Sequence, residues 1–142
     1  MGEVIDLEDF SAAEVAELNQ RHQAPLDGAA LKRLMSLLSG QPYLTRRAMY
    51  LVAIGRISIE DLFDKALEDR GPFGDHLRYH LFRIHDQPEL VEGVRHVLAK
   101  QECPDDRVFF RLRGAGLVKR EGGIVIPRCE LYGQYLKERL HA

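Results

Sequence analysis

Cysteine is scarce in this 142-residue sequence, and the two that occur, Cys103 and Cys129, stand far apart and outside any CxxC pattern. Metal clips built on cysteine and dithiol redox motifs are thereby set aside, and a reduced, cytoplasmic setting is expected. Long hydrophobic runs are missing too. No apolar stretch approaches the roughly 18 residues that cross a bilayer, so no membrane partner is expected. The opening "MGEVIDLED" is acidic where a signal peptide is basic, and Asp6 stands where N-myristoylation needs Ser or Thr. No sign of charge dominates: 20 Lys/Arg face 22 Asp/Glu, for a net charge of −2. The halves differ mildly, with 8 basic against 12 acidic residues over 1–70 and 12 against 10 over 71–142. That is too little for a strongly basic nucleic-acid surface. Catalytic signatures are absent as well. There is no GxxxxGK[ST] loop, no hydrophobic strand ending in paired acids, and no Ser/His/Asp set that falls on adjacent elements. No catalytic residue is expected, and the chain by itself is not expected to be an enzyme.

What is present is the pattern of an ordinary globular protein, 45% apolar and 30% charged, without repeats or low-complexity segments. "EVIDL", Glu3–Leu7, alternates like a short strand or extended lead-in. Ser11 and Glu14 form a capping box for a helix running to about Arg21. Leu31, Leu34, Met35 and Leu38 make a helical stripe that Gly40 ends, and Pro42 fits the first turn of the next helix, whose Leu44, Ala48, Leu51 and Val52 face inward. Ser58-x-x-Asp61 starts another helix, Gly71-Pro72 breaks it, and Leu77, Leu81 and Ile84 mark a fifth. Beyond Pro88 the spacing predicts two helices, a hairpin with Gly122-Gly123 at its turn, and a closing helix "CELYGQYLKERL". Two helices followed by a β-hairpin wing describe a winged helix-turn-helix, so the expected fold is mainly α with a small β-hairpin.

Several residues raise functional questions. Gly40-Gln41-Pro42 stops one helix and starts the next, which packing alone explains; it also leaves a helix N-terminus and a rigid ring able to pack on a flat base. Arg46 and Arg47 follow on that helix, about 100° apart, so at most one is expected to face a given ligand. His76 and His80, at i and i+4, have the spacing of a two-histidine metal grip. Only Asp75 and His85 stand nearby as helpers and no third ligand has an obvious spacing, so no metal is expected. Arg107, Arg111 and Arg113 on the seventh helix, with Lys119 and Arg120 on the hairpin, leave the footprint of a DNA-binding winged helix. Against that, Asp105 and Asp106 stand at the helix N-terminus, where they repel phosphates but serve well as cap and dipole partners. Leu131, Tyr132, Tyr135, Leu136 and Leu140 form a stripe expected to close the core.

"LNQRH" at 18–22, "GQPYLTRRAMYLVA" at 40–53, "GPFGDHLRYHL" at 71–81 and "LRGAGLVKREGGIVIPRCELYGQYLKERL" at 112–140 together resemble the C-terminal part of the AAA-like domain of bacterial signal-transduction ATPases with numerous domains. The resemblance covers nearly the whole chain. It implies a lead-in over 1–10 from an ATPase core that this chain lacks, a helical-bundle lid over 11–72, and a winged-helix subdomain over 73–142. By the same resemblance Gly40 and Pro42 lie against the adenine of ATP or ADP held mainly by that core, with Arg46 or Arg47 reaching toward a phosphate. No cofactor is implied for the chain alone. The implied function is a non-catalytic regulatory module that relays nucleotide state to a P-loop ATPase core, in cis or in trans, with the isolated chain a monomer or weak self-associating dimer. A free-standing winged-helix DNA-binding regulator is the alternative.

Overall fold

The computed structural model describes residues 8–141; the extended lead-in expected over Glu3–Leu7 lies outside them. Among the described residues the regular structure is eight helices and one two-stranded antiparallel sheet. Contacts divide the chain into two compact units, one ending at Asp64 and the other beginning at Lys65, ahead of the Gly71-Pro72 break that marks the join in the sequence pattern.

The first unit contains α1 (Ala12–Arg21), α2 (Gly28–Leu38), α3 (Pro42–Ala53) and α4 (Ile59–Asp64). The Ser11–Glu14 capping box forms in both directions: the Glu14 N–H donates to Ser11 Oγ and the Ser11 N–H to Glu14 Oε1. Buried Asn19 pins the α1–α2 loop, donating from Nδ2 to the Leu26 carbonyl (2.9 Å) and accepting the Leu26 N–H (3.1 Å). A buried side-chain amide satisfied in this way removes the cost of burying it and locks the loop. Val15, Leu26, Leu34, Leu38, Leu44, Ala48, Met49 and Leu62 make the core of the unit. On α3 the inward face is Leu44, Thr45, Ala48, Met49 and Leu51, with Val52 only half-buried.

The second unit contains α5 (Gly74–Ile84), α6 (Pro88–Lys100), α7 (Asp106–Gly114), β1 (Val118–Glu121), β2 (Ile124–Pro127) and α8 (Glu130–Arg139). The strands pair with Glu121 opposite Ile124, leaving Gly122-Gly123 as a two-residue turn in which Gly122 takes φ +61°. The Val125 N–H donates to the Gln101 carbonyl at the end of α6 (2.8 Å), and the Arg128 N–H to the Leu117 carbonyl (2.9 Å), tying the hairpin to the helices around it. α6 and α7 approach closely at Gly93, where an added Cβ would collide with Cγ1 of Val108. The Leu131, Tyr132, Tyr135, Leu136 and Leu140 stripe of α8 is buried, closing the core as its spacing predicts.

Candidate functional site

The break between α2 and α3 is sharper than a single glycine cap. Ser39 already turns left-handed (φ +51°) and Gly40 follows at +73°, so two successive residues reverse the chain. Gln41 then caps α3, its Oε1 accepting the Leu44 N–H at 2.7 Å, and Pro42 occupies the first turn. The reversal is pressed against Phe10, whose N–H donates to the Gly40 carbonyl at 2.7 Å. A Cβ on Gly40 would run into the Phe10 backbone. Glycine is thus required at this position by the chain's own packing as well as by its positive φ.

Beyond Pro42, the exposed side of α3 forms an open groove of about 370 Å³ bordered by Pro42, Tyr43, Arg46, Arg47 and Tyr50. Tyr43, Arg47 and Tyr50, at i, i+4 and i+7, share one helix face, and both tyrosines are about half exposed (50% and 53%). Both Arg46 and Arg47 border this groove. Long flexible stems carry the two heads further than the 100° between their Cα–Cβ vectors suggests. Arg46 has a second engagement, its guanidinium lying 5.2 Å from the Phe10 ring centre, and it also borders a smaller cavity of about 190 Å³ with Glu14, Glu17 and Arg21. Aromatic faces beside two guanidiniums along α3 offer stacking for a flat ring and pairing for an anion.

On the second unit the five basic residues of the DNA footprint are differently occupied. Arg111 pairs with Glu89 and hydrogen-bonds Gln87. Lys119 Nζ lies 3.6 Å from Glu121, and Arg120 stacks over the Phe109 ring at 4.1 Å. Arg107 and Arg113 are exposed. Asp105 is the N-cap of α7, accepting the N–H groups of Arg107 (2.9 Å) and Val108 (3.2 Å), so its carboxylate is held at the helix end. That placement keeps negative charge where a groove-reading helix would meet phosphate.

His76 and His80 do gain a third polar neighbour, one that spacing along the sequence does not reveal. His76 Nε2 lies 2.6 Å from the Tyr132 hydroxyl and 3.2 Å from His80 Nε2. Burial, aided by Arg128, pushes the His76 imidazole down to about 4. Burial first, then His76, Arg83 and Arg128, push His80 down to about 3. Both are therefore neutral at neutral pH.

The model of the AAA-like domain family matches residues 1–138. The chain belongs to that family. As an AAA-like domain it is an ATPase-related module, and the groove on α3 lies within the matched segment, as does the His76–His80–Tyr132 cluster. Nothing among curated proteins or solved structures matches this AAA-like chain. No helix among the described residues is long and apolar enough to cross a membrane.

Proposed function

We propose that this AAA-like chain is a non-catalytic regulatory module, a helical lid followed by a winged helix, that helps hold adenine nucleotide for a P-loop ATPase core and relays its state by protein contacts. The groove beside the Gly40–Pro42 break carries the reading. It joins the edge of the buried Pro42 with two exposed tyrosines and two arginines along α3, a set suited to a base and its phosphates. The order of α6, α7, the β1–β2 hairpin and α8 supports the winged-helix assignment of the second half. The chain offers neither a phosphate loop nor a recognisable magnesium-binding motif, so the nucleotide is held mainly by the core and turnover belongs there.

The test uses the module with a separately produced core and a fluorescent ADP analogue. The pair is expected to bind more tightly than the core alone. Pro42→Ala and Arg47→Ala should each weaken that gain, roughly fivefold to tenfold, about 1–1.4 kcal/mol, while leaving the module's circular dichroism unchanged. The isolated chain should hydrolyse no ATP; turnover that survives repurification refutes the assignment. Relay through the winged helix predicts that the charge reversals Arg107→Glu and Arg113→Glu weaken association with the core in one nucleotide state more than in the other. Duplex DNA binding that falls steeply with salt, seen in a mobility-shift titration, would replace this reading with that of a DNA-binding regulator.

A further inference from the structure

Helices α5 and α8 bring three donor atoms of the second unit into one small triangle. His76 Nε2 and the Tyr132 hydroxyl are 2.6 Å apart, the two Nε2 atoms 3.2 Å, and His80 Nε2 and the hydroxyl 3.4 Å. One turn of α5 separates the histidines, and their rings stand at 87° with centroids 4.6 Å apart, so the two nitrogens converge without stacking. Hydrogen bonding alone serves this triangle poorly. A phenol has one proton and a neutral imidazole one N–H for two nitrogens, so the three edges cannot all be good hydrogen bonds. His80 Nδ1 is buried without a partner among the described residues, so any ion held at Nε2 leaves an unsatisfied N–H there, at a cost to affinity. No three His, Cys, Asp or Glu side chains gather among the described residues; here the third donor is a phenol.

The spacing has another use. An ion bound at about 2.0–2.1 Å by nitrogen and oxygen in tetrahedral geometry holds its donors about 3.3 Å apart, near two of the three edges seen and within a small movement of the third. We propose that His76, His80 and Tyr132 form a three-donor site for a divalent ion of the zinc class. Tyr132 and His80 are 1% and 8% exposed while His76 is half-buried, which leaves the fourth position on the His76 side for water or a further ligand. On binding, the two neutral imidazoles donate their Nε2 lone pairs and the Tyr132 O–H bond breaks. The phenolate oxygen takes the ion and the proton passes to solvent, so one positive charge leaves as two arrive. The positive charge of Arg128, which already disfavours protonation of both imidazoles, repels the cation. The affinity expected is therefore micromolar rather than that of a four-thiolate clip.

The full chain, freed of metal and titrated with zinc chloride near neutral pH, tests this by calorimetry in two buffers of different ionisation enthalpy together with ultraviolet difference absorption. The expected result is one ion bound per chain, one proton released and a phenolate difference band. His76→Gln should weaken binding at least about tenfold. Tyr132→Phe, which keeps the ring, should abolish the band and the proton, and His85→Gln with His96→Gln should change neither. No binding at millimolar zinc, or binding without proton release and phenolate band, overturns the proposal. If Tyr132→Phe does not fold, the band and proton count of the unmodified chain decide the matter by themselves.

Discussion

At the scale of single residues, Gly40 and Gly55, two of the left-handed glycines, separate two kinds of constraint. Both have φ near +73°, but a Cβ on Gly40 collides with the Phe10 backbone, whereas one on Gly55 meets nothing within 4 Å among the described residues. Gly55→Ala should cost about 1 kcal/mol from conformation alone. Gly40→Ala should cost about 3 kcal/mol or more, because a backbone neighbour cannot swing aside as a side-chain tip can. Urea unfolding of the two variants measures the difference. The histidine pair makes a second prediction. Folded-state values near 4 and 3, against 6.5 ordinarily, mean that the unfolded chain binds protons that the folded chain refuses. Stability should therefore be level above about pH 6.5 and fall as pH drops from there toward 3, with a slope approaching two protons. Replacing His76 by Gln should flatten that slope, as read from urea midpoints at a series of pH values.

At the scale of elements, the caps and close approaches decide what each helix tolerates. Asp105 holds two N–H groups at the start of α7. Asn caps as well as Asp, so Asp105→Asn should leave stability nearly unchanged and Asp105→Ala should cost about 1 kcal/mol. The same pair probes partners. If Asp105→Asn strengthens duplex binding markedly, the carboxylate was the barrier to DNA and the basic footprint of α7 gains weight. The α6–α7 contact makes a sharper demand. Gly93 lies against Val108 and Leu112, both buried, so Gly93→Ala should cost about 1–3 kcal/mol despite the higher helix propensity of alanine. Thermal unfolding shows which effect wins. Helix starts were plain in the sequence because a cap is a local event: Ser11 with Glu14, Ser58 with Asp61 and Pro42 all act within one turn. Gly93 was not, since its role depends on a helix fifteen residues further along the chain.

At the scale of the whole molecule, the described residues form two units, each with its own core. In the second, Leu77, Ile84, Val94, Val97, Phe109, Leu112, Leu131, Tyr132 and Leu136 are buried, and Asp69 is tied to Arg139 at 2.8 Å across the unit's length of chain. A fragment spanning 65–142 should therefore keep its helical signal and unfold cooperatively by itself, as domains of this size commonly do. Circular dichroism during a urea titration checks this. A gradual, non-cooperative loss of signal would show that its core is not self-sufficient.

By itself the sequence determined the helix order, the hairpin with its Gly122-Gly123 turn, the burial of the α8 stripe and the abrupt α2–α3 break, because each is set by residues within a few positions of one another. Membership of the AAA-like family was legible for the same reason, carried by runs such as "GQPYLTRRAMYLVA" and "PRCELY". Only the tertiary structure decided that Phe10 forces glycine at position 40, that Arg46 and Arg47 border one groove with two tyrosines, and that Arg111, Lys119 and Arg120 are engaged within their own unit. It also supplied Tyr132 to a histidine pair 52 and 56 residues away. Local spacing reports what a turn of helix or a pair of strands brings together, whereas these contacts arise when separate elements bury their apolar faces against one another, carrying along whatever polar groups those faces hold.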